Sequence, residues 1–305
     1  MSAAIHSVFQ QYFSVVFLGI GQLAFIGSAR AGLLFLLALA CISPLAALGA
    51  FIASLIATGF HRVVKVYSEN EWQLGISGYN SAVIGLLWSG MLTNGAHRFL
   101  WFFPLSLLLC FLLEFILRQL ANKILLPVLT LPAVITIWIT SLVFAHYGLN
   151  FWSLGVTSIL NEGLVLLGIL GILLAMSFVN TAATVQAGVL GVLSGWLANW
   201  YFGLDFMALS GLWGFSVVTA SFGIQAVFFK GATSASLAGL IAAVVAAIVW
   251  FLWRLSPLGP TLPPLLFPFI VGTWATLFLA RKMDVSNLIL PIRDIWSAVF
   301  NRSSS

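Results

Sequence analysis

Two glycine-punctuated segments carry polar residues in an otherwise very apolar chain. Residues 74–85 read LGISGYNSAVIG, and residues 211–221 read GLWGFSVVTAS. Each segment places an aromatic ring and a polar side chain directly after a glycine, as Tyr79 with Asn80 and Phe215 with Ser216. These side chains offer hydrogen bonds and flat aromatic faces rather than acid–base chemistry. The pattern therefore favours contact with a small polar solute.

Glu162 is the most informative charged residue, because it directly precedes a long apolar run. A carboxylate at the bilayer centre costs about 2.5–3.5 kcal/mol on insertion scales, and such residues usually face a cavity. Two interpretations stay open at this point. Glu162 is either an acceptor for solute N–H groups in a pore, or a loop residue that caps a helix in the sequence NEG.

The residue sets that catalysis or metal binding would need are not evident in the sequence. The four histidines are isolated, and no two of them have metal-ligand spacing on a common predicted helix. Cys41 and Cys110 lie inside apolar runs and are expected to be inert. There is no matched nucleophile and base, and no phosphate-binding loop. We therefore predict that the protein is not an enzyme and uses no cofactor or metal.

Other charged residues have simpler interpretations. Glu114 and Arg118 are four residues apart, which predicts an intrahelical pair near a membrane edge. His61, Arg62 and Lys65 are close together and are expected in a loop. The net charge of +5 comes from scattered lysines and arginines, so it does not indicate a nucleic-acid partner.

The elements that position these residues must be membrane helices. The chain is 62% hydrophobic and 6% charged, against about 25% charged for a soluble domain. Apolar runs long enough to cross a bilayer recur along the chain, and some are long enough for more than one crossing. They span about 8–27, 31–60, 99–121, 124–147, 151–178, 182–202, 206–229, 233–254 and 258–280. The composition therefore predicts an all-α polytopic membrane protein.

The first half of the sequence aligns with the second half at one constant difference in residue number. Gly214 aligns with Gly78, and 214 − 78 = 136. Leu and Ala match easily in such a sequence, whereas Pro, Trp and Arg do not. At the same offset Phe115 aligns with Phe251, Arg118 with Arg254, Pro127 with Pro263, Pro132 with Pro268, Trp138 with Trp274, Thr140 with Thr276 and Gly32 with Gly168. We therefore predict two repeats, at residues 1–149 and 150–305.

The repeats are expected to be inverted if each crosses the membrane an odd number of times. Inverted repeats place their functional site near the midplane, where interrupted segments meet. The segments 74–85 and 211–221 then become re-entrant half-helices whose N-terminal ends aim partial positive charge at a pore. An alternative explanation is that the glycines only permit close helix packing.

Several motifs together resemble the urea transporter (urea channel) family. They are GIGQLAF at 19–25 followed by AGLLFL, the two glycine-punctuated segments, and the proline boxes TLPAVITIW at 130–138 and LFPFIVGTW at 266–274. The resemblance covers about residues 8–283. It implies a homotrimer with one central pore per protomer. Each pore is a passive path for urea, built from two inverted repeats of about five transmembrane helices plus one half-helix each.

The resemblance also assigns pore residues. It implies that aromatic rings stack on the planar solute while a ladder of oxygens bonds its NH₂ groups. Trp138 and Trp274 are expected to brace the proline boxes. The residues carried over by motif position are Gln22, Phe25, Tyr79, Val83, Thr136, Glu162, Val165, Phe215, Thr219 and Thr273.

The second repeat departs from the family pattern at several of these positions. Val165 stands where the family has an aromatic ring, Ser216 replaces an Asn, and Thr219 replaces a Leu. In the first proline box, Ile137 occupies the position of a hydroxyl, with Thr136 next to it. One of the two positions in the pore where aromatic rings would contact the solute is therefore expected to be wider and more polar than in the family pattern. The solute is urea or a related small amide or amine-bearing molecule.

Alternative functions remain open at this stage. A proton-coupled secondary transporter would use Glu162 as its proton site, and a channel for ammonium or formamide would share the same fold. Basic residues at the C-terminal end, such as Arg281, Lys282, Arg293 and Arg302, place that end in the cytoplasm. The expected location is the cell (inner or plasma) membrane, with both termini cytoplasmic.

Overall fold

The computed structural model describes residues 2–93, 100–124, 126–146, 162–202, 214–259, 262–283 and 289. The side chains of residues 2–7, 89–93, 122–124 and 162 are outside the description. Two of the basic residues used above for topology, Arg293 and Arg302, also lie outside the described residues.

The described chain consists of helices joined by short connections. Their bounds are α1 Ser2–Gly21, α2 Ala29–Ile42, α3 Pro44–Val64, α4 Glu69–Gln73, α5 Tyr79–Thr93, α6 Phe102–Ile124, α7 Leu131–His146, α8 Glu162–Ser177, α9 Thr181–Phe202, α10 Phe215–Gly223, α11 Ala232–Leu255 and α12 Phe267–Lys282. A 3₁₀ turn, Gln22–Ala24, follows α1, and a π-helical turn, Ile224–Phe228, continues α10.

Four of these helices are long and apolar enough to cross a membrane. They are Pro44–Val64, Phe102–Ala121, Thr181–Phe202 and Ala232–Leu255. A fifth candidate is the pair Val8–Ala24 and Ala29–Ile42, which is bent by 66°. The helices Leu131–His146, Gly163–Ser177 and Phe215–Phe228 are apolar but shorter. The prediction of an all-α polytopic membrane protein is confirmed.

Local sequence explains where the helices break. The apolar run predicted over residues 31–60 contains two helices, because Ser43 caps α3 with its side chain and Pro44 occupies the first position. Ser43 Oγ accepts a hydrogen bond from the backbone N–H of Ala46 at 3.3 Å. The first run ends at Phe25, whose left-handed backbone (φ 56°) closes the 3₁₀ turn.

The helices pack into two compact units that do not follow the sequence repeats. Unit 1 contains α1–α5, most of α6, and α8, whereas unit 2 contains the end of α6, α7 and α9–α12. Each unit therefore includes one helix from the other half of the sequence. In unit 1, α2 packs against α8, its counterpart at the 136-residue offset. In unit 2, α7 contacts its counterpart α12.

Candidate functional site

Gln22 is buried inside unit 1, where its amide has a defined orientation. It lies in the 3₁₀ turn that follows α1 and is only 4% exposed. Its Nε2 donates a hydrogen bond to the backbone carbonyl of Leu74 at 3.2 Å. Its Oε1 is buried and has no hydrogen-bond partner among the described residues. The amide therefore presents an acceptor that the described residues leave unpaired.

Directly after the 3₁₀ turn that contains Gln22, Phe25 adopts a left-handed backbone conformation. The backbone N–H of Phe25 donates to the carbonyl of Gln22 at 3.1 Å, and the ring is buried. A left-handed conformation is uncommon for a bulky residue, so the surrounding packing must hold it. The bend thus holds the backbone of Phe25 against the backbone carbonyl of Gln22.

The first glycine-punctuated segment packs against the motif that contains Gln22. Gly75 has a φ of +74°, and a Cβ there would lie 2.4 Å from the backbone nitrogen of Gly19. Only glycine fits this position without strain. The resulting turn leads into Tyr79, the first residue of α5, which is buried. The predicted pore residues Gln22, Phe25 and Tyr79 are therefore on adjoining segments of unit 1.

The helix that follows packs closely against α3. A Cβ on Gly78 would lie 2.5 Å from Ser54 Oγ, and a Cβ on Gly85 would lie 2.0 Å from the backbone oxygen of Gly49. The close-packing explanation for the glycines therefore holds for Gly85. Val83, on the same helix, is buried.

The second half-helix begins at Phe215 in unit 2, at the position equivalent to Tyr79. The Phe215 ring is partly exposed, whereas Thr219 is buried. Thr219 Oγ1 donates to the backbone carbonyl of Phe215 at 2.7 Å, one turn earlier. This bond uses the hydroxyl proton and leaves oxygen lone pairs as acceptors. Residues 211–213 of the motif lie outside the described residues.

Ser216 and two tryptophans hold the segment that precedes α12. Ser216 Oγ donates to the carbonyl of Leu265 at 2.8 Å, and Trp253 Nε1 donates to the carbonyl of Leu262 at 2.9 Å. Trp138 Nε1 donates to the carbonyl of Pro263, between these two, at 2.6 Å. These bonds satisfy carbonyls that the proline-rich segment cannot pair within a helix. Ser216, which departs from the family pattern, is thus a structural anchor in unit 2.

The two proline boxes exchange tryptophan hydrogen bonds. Trp138 bonds the carbonyl of Pro263 at 2.6 Å, and Trp274 bonds the carbonyl of Pro127 at 2.9 Å. Both residue pairs are related by the same offset, since 274 − 138 and 263 − 127 equal 136. The expectation that these tryptophans brace the proline boxes is confirmed, and each bonds the segment that directly precedes the other box. A reciprocal contact of this kind is the pattern of a local two-fold arrangement.

Backbone conformations also correspond at the offset of 136 residues. Leu129 and Leu265 have positive φ angles of 52° and 49°, and their numbers also differ by 136. Each lies two residues before the first residue of a proline-box helix. Leucine rarely adopts this conformation, so two matched cases are unlikely to be independent.

The hydroxyls of the two proline-box helices differ in their bonding. Thr136 is fully buried and donates to the carbonyl of Pro132 at 2.8 Å. Thr273 is also fully buried, but its Oγ1 has no hydrogen-bond partner among the described residues. Ile137, the position equivalent to Thr273, is buried and apolar. Thr273 therefore has a hydroxyl without a described partner at a position that is apolar in the first box.

The predicted site residues on α8 are only partly described. Val165 is buried on this helix in unit 1. Glu162 is the first residue of α8, and its side chain lies outside the described residues. Both roles considered for the Glu162 side chain, as a pore acceptor and as a helix cap, therefore remain predictions.

The structure also reveals buried polar residues that the sequence analysis missed. His61 was expected in a loop, and this is wrong: it lies in the last turn of α3 and is 1% exposed. Its Nε2 lies 3.2 Å from Oε2 of Glu114, on α6. The spacing of Ser54, Thr58 and His61 on one helical face was the signal available in the sequence. Further buried side-chain oxygens without a described partner belong to Thr58, Ser77, Asn80, Ser81 and Thr130.

The arrangement can bind a neutral solute that donates hydrogen bonds. The predicted positions supply amide and hydroxyl oxygens, aromatic rings and small apolar side chains. Among the described residues, no group of three or more His, Cys, Asp or Glu side chains is placed to hold a metal ion.

Comparison with known proteins identifies the family. A family model described as urea transporter matches residues 13–162, which is about half of the chain. The match includes Gln22, Phe25, Tyr79, Val83 and Thr136 and ends at Glu162. The remaining predicted site residues, Val165, Phe215, Thr219 and Thr273, lie beyond it. A search of curated proteins found no match. Together with the apolar helices, these findings show that the chain is a multi-pass membrane protein that belongs to the urea transporter family.

Proposed function

We propose that the protein is a passive channel that moves urea, or a closely related small neutral amide, down its concentration gradient. The observation that carries this proposal is the geometry of Gln22. Its Nε2 is engaged by the carbonyl of Leu74, and its buried Oε1 has no described partner. A buried acceptor without a partner costs about 1–3 kcal/mol, so it is retained where a ligand supplies the missing donor. Urea carries four N–H donors on a planar frame.

A sequence of such acceptors supports permeation rather than tight binding. Thr273 adds a second buried oxygen without a described partner. Thr136 and Thr219 donate their protons to their own helices and keep lone pairs for a solute. Each contact replaces part of the hydration that the solute loses, and weak repeated sites permit both entry and exit. We assign all ten predicted residues to this path, including Glu162 and Val165.

The test is urea flux in liposomes that contain the full-length protein. Stopped-flow light scattering follows urea entry into vesicles with wild type, Gln22→Leu and Gln10→Leu. Gln10 is exposed on α1, so its variant makes the same chemical change outside the proposed path. We expect fast urea flux in wild type and Gln10→Leu, and a loss of about ten-fold or more in Gln22→Leu, since 1.4 kcal/mol corresponds to a factor of ten.

Three outcomes would contradict parts of the proposal. Wild-type vesicles could take up urea no faster than empty vesicles while formamide or ammonium enters. This result would exclude urea as the solute without affecting the assignment of the fold. Equal flux in Gln22→Leu and wild type would remove Gln22 from the path. Flux that saturates at low urea concentration would contradict a path of weak sites.

A proton-coupled secondary transporter is the second candidate, and one observation favours it. His61 and Glu114 are a buried ionisable pair in a membrane protein, which is the kind of pair that proton relays use. The two mechanisms differ in their response to a proton gradient. An imposed gradient would drive urea uphill in a coupled transporter, and an uncoupler would abolish this accumulation. For a passive channel we expect identical urea equilibration with and without the gradient.

A further inference from the structure

Trp72 is a buried residue that lies two positions before Leu74, whose carbonyl orients Gln22. It belongs to α4, a helix of five residues, and is 4% exposed. Its Nε1 donates a buried hydrogen bond to the backbone carbonyl of Thr58 on α3, at 3.0 Å. The predicted pore residues all lie outside α4, so the proposed path gives Trp72 no role.

The short helix α4 depends on other elements for its position. Isolated helices of fewer than about 12–15 residues are marginal in water, and α4 is well below that length. A capping box formed by Ser68 and Glu71 closes its first turn, but this bonding is internal to the segment. Contacts with α3 must therefore determine where α4 lies.

Two kinds of side-chain contact connect α4 to α3, and they differ in exposure. Arg62 pairs with Glu69, and its guanidinium carbon lies 4.4 Å from the centroid of the Trp72 ring. The side chains of this ion pair are 49% and 53% exposed, so solvent screens it and it contributes little. By contrast, a buried donor that loses its acceptor costs about 1–3 kcal/mol. The bond from Trp72 to Thr58 is therefore the stronger constraint on α4.

The other end of the segment 72–75 is held by α1. Gly75 has a φ of +74°, and a Cβ there would lie 2.4 Å from the backbone nitrogen of Gly19. The backbone N–H of Gly75 also donates to the carbonyl of Trp72 at 2.9 Å, which closes a tight turn. Leu74 lies within this turn. Its carbonyl is therefore placed from two sides, by α3 through Trp72 and by α1 through Gly75.

The carbonyl of Leu74 decides which atom of the Gln22 amide is presented. Gln22 Nε2 donates to this carbonyl at 3.2 Å, while Oε1 has no partner in the described part of the chain. The opposite orientation of the amide would present an NH₂ group, which donates hydrogen bonds and accepts none. A displaced Leu74 carbonyl would release Nε2 and allow both orientations. The contacts of Trp72 thus reach the acceptor through one turn of backbone.

We infer that Trp72 is a positioning residue for permeation, because it holds the Leu74 carbonyl in the place where this carbonyl orients the acceptor of Gln22. The inference rests on the proposed function, in which urea donates to that acceptor. Trp72 acts through the turn and not by contact with the solute. Without its indole N–H, α4 and Leu74 shift, and Gln22 presents its oxygen for only part of the time.

The test is a double-mutant cycle of urea permeability in liposomes that contain the full-length protein. Trp72→Phe keeps an aromatic ring and removes the N–H donor. In the wild-type background it should lower urea permeability several-fold. In the Gln22→Leu background it should have no further effect, because the group that it positions is absent. Protein density in the vesicles is raised until Gln22→Leu exceeds the rate of empty vesicles. An equal fold-loss in both backgrounds would indicate a purely structural role and overturn the inference.

Two controls separate the indole from its surroundings. Arg62→Gln removes the exposed ion pair and the cation–π contact, and it should lower permeability less than Trp72→Phe does. Trp101→Phe makes the same chemical change at an exposed position of unit 1 and should leave permeability unchanged. A loss in Arg62→Gln as large as in Trp72→Phe would overturn the inference, because exposed contacts would then position α4. If Trp72→Phe does not fold, Trp72→Tyr, which also lacks the indole donor, replaces it in the cycle.

Amide hydrogen exchange tests the turn without urea. The backbone N–H groups of residues 74–76 donate to carbonyls of residues 70–72. A peptide that covers this turn should exchange several-fold faster in Trp72→Phe than in wild type, while peptides from α11 should not change. Unchanged exchange in the turn would overturn the inference. A wild type that moves no urea would disprove the proposed function and, with it, the effect on permeation. Faster exchange in Trp72→Phe would then still show that Trp72 holds the turn.

Discussion

At the scale of the residue, the informative feature is a buried oxygen without a hydrogen-bond partner in the described part of the chain. Gln22 and Thr273 both meet this description within the described residues. By contrast, Thr219 and Ser216, two departures from the family pattern, donate to backbone carbonyls. Ser216 therefore has a structural role, so the loss of an Asn at this position does not by itself indicate a different solute.

Thr273→Val tests the unused hydroxyl. The change keeps the shape of the side chain and removes an oxygen that has no described partner, so stability should be unchanged or slightly higher. Urea permeability should fall several-fold, because one acceptor on the path is lost, and Thr273→Ser should restore it. The control is Thr276→Val on the same helix, whose hydroxyl donates to the carbonyl of Gly272 at 2.8 Å. If Thr273→Val permeates urea as wild type does, Thr273 is not part of the path.

At the scale of the element, glycines and tryptophans determine how the short helices are held. Gly85 permits contact between the backbones of α5 and α3, and the reciprocal bonds of Trp138 and Trp274 connect the proline boxes in unit 2. Small residues at helix contacts are a general feature of membrane proteins. Two glycines in the glycine-punctuated segments, Gly85 and Gly214, differ in how closely neighbouring atoms approach them.

Gly85→Ala and Gly214→Ala should differ sharply. A Cβ on Gly85 would lie 2.0 Å from the backbone oxygen of Gly49, whereas the nearest atom to a Cβ on Gly214 is 3.7 Å away. We expect Gly85→Ala to lose about 1–3 kcal/mol or to misfold, because a backbone must move. Gly214→Ala should unfold within a few degrees of wild type in a detergent thermal scan. Similar losses in both variants would show that the spacing of α3 and α5 is not a rigid constraint.

Trp138→Phe and Trp274→Phe should have similar effects. Each removes one hydrogen bond from an indole to a proline carbonyl, so each should lose about 0.5–1.5 kcal/mol of stability. Trp101→Phe, at an exposed position, is the control and should have little effect. Thermal unfolding in detergent measures all three. A large effect in one variant and none in the other would argue against a symmetric role for the two bonds.

At the scale of the whole molecule, the sequence repeats and the compact units are different divisions of the chain. The repeats divide at about residue 149, whereas α7 packs with unit 2 and α8 with unit 1. The contacts between α2 and α8, and between α7 and α12, join equivalent helices of the two repeats. Neither repeat alone contains a complete unit, and the inverted arrangement of the two repeats stays a prediction.

The inverted arrangement predicts that both termini lie on one side of the membrane, the cytoplasmic side. A protease site fused to each end should be cut in inside-out vesicles and protected in right-side-out vesicles. If the two ends are cut in opposite preparations, the number of crossings is odd and two inverted repeats with odd numbers of crossings are excluded.

The family resemblance predicts a homotrimer in the cell membrane. Light scattering of the detergent-solubilised protein, corrected for bound detergent, should give the mass of three chains. A monomer that retains urea flux when diluted into liposomes would show that one protomer is sufficient.

Much of the fold followed from composition and repetition. A chain with 62% hydrophobic and 6% charged residues must place most of its side chains in a bilayer or in contact with one another. The single offset of 136 also anticipated the matched tryptophan bonds and the matched left-handed leucines, because equivalent sequences form equivalent local structure. The positions of Gln22 and Phe25 in a turn after α1 were not anticipated, since the turn depends on packing against the segment that includes Leu74.

Only the tertiary structure decided which polar groups find partners. Thr136, Thr219 and Thr273 are alike in sequence, yet only Thr273 has no described partner, because bonding depends on the rotamer and the neighbouring carbonyl. The contact between His61 and Glu114 joins residues more than fifty positions apart on different helices, so no local pattern predicts it. Sequence periodicity determines which face of a helix is apolar, whereas the partner of a buried polar group depends on how whole helices pack.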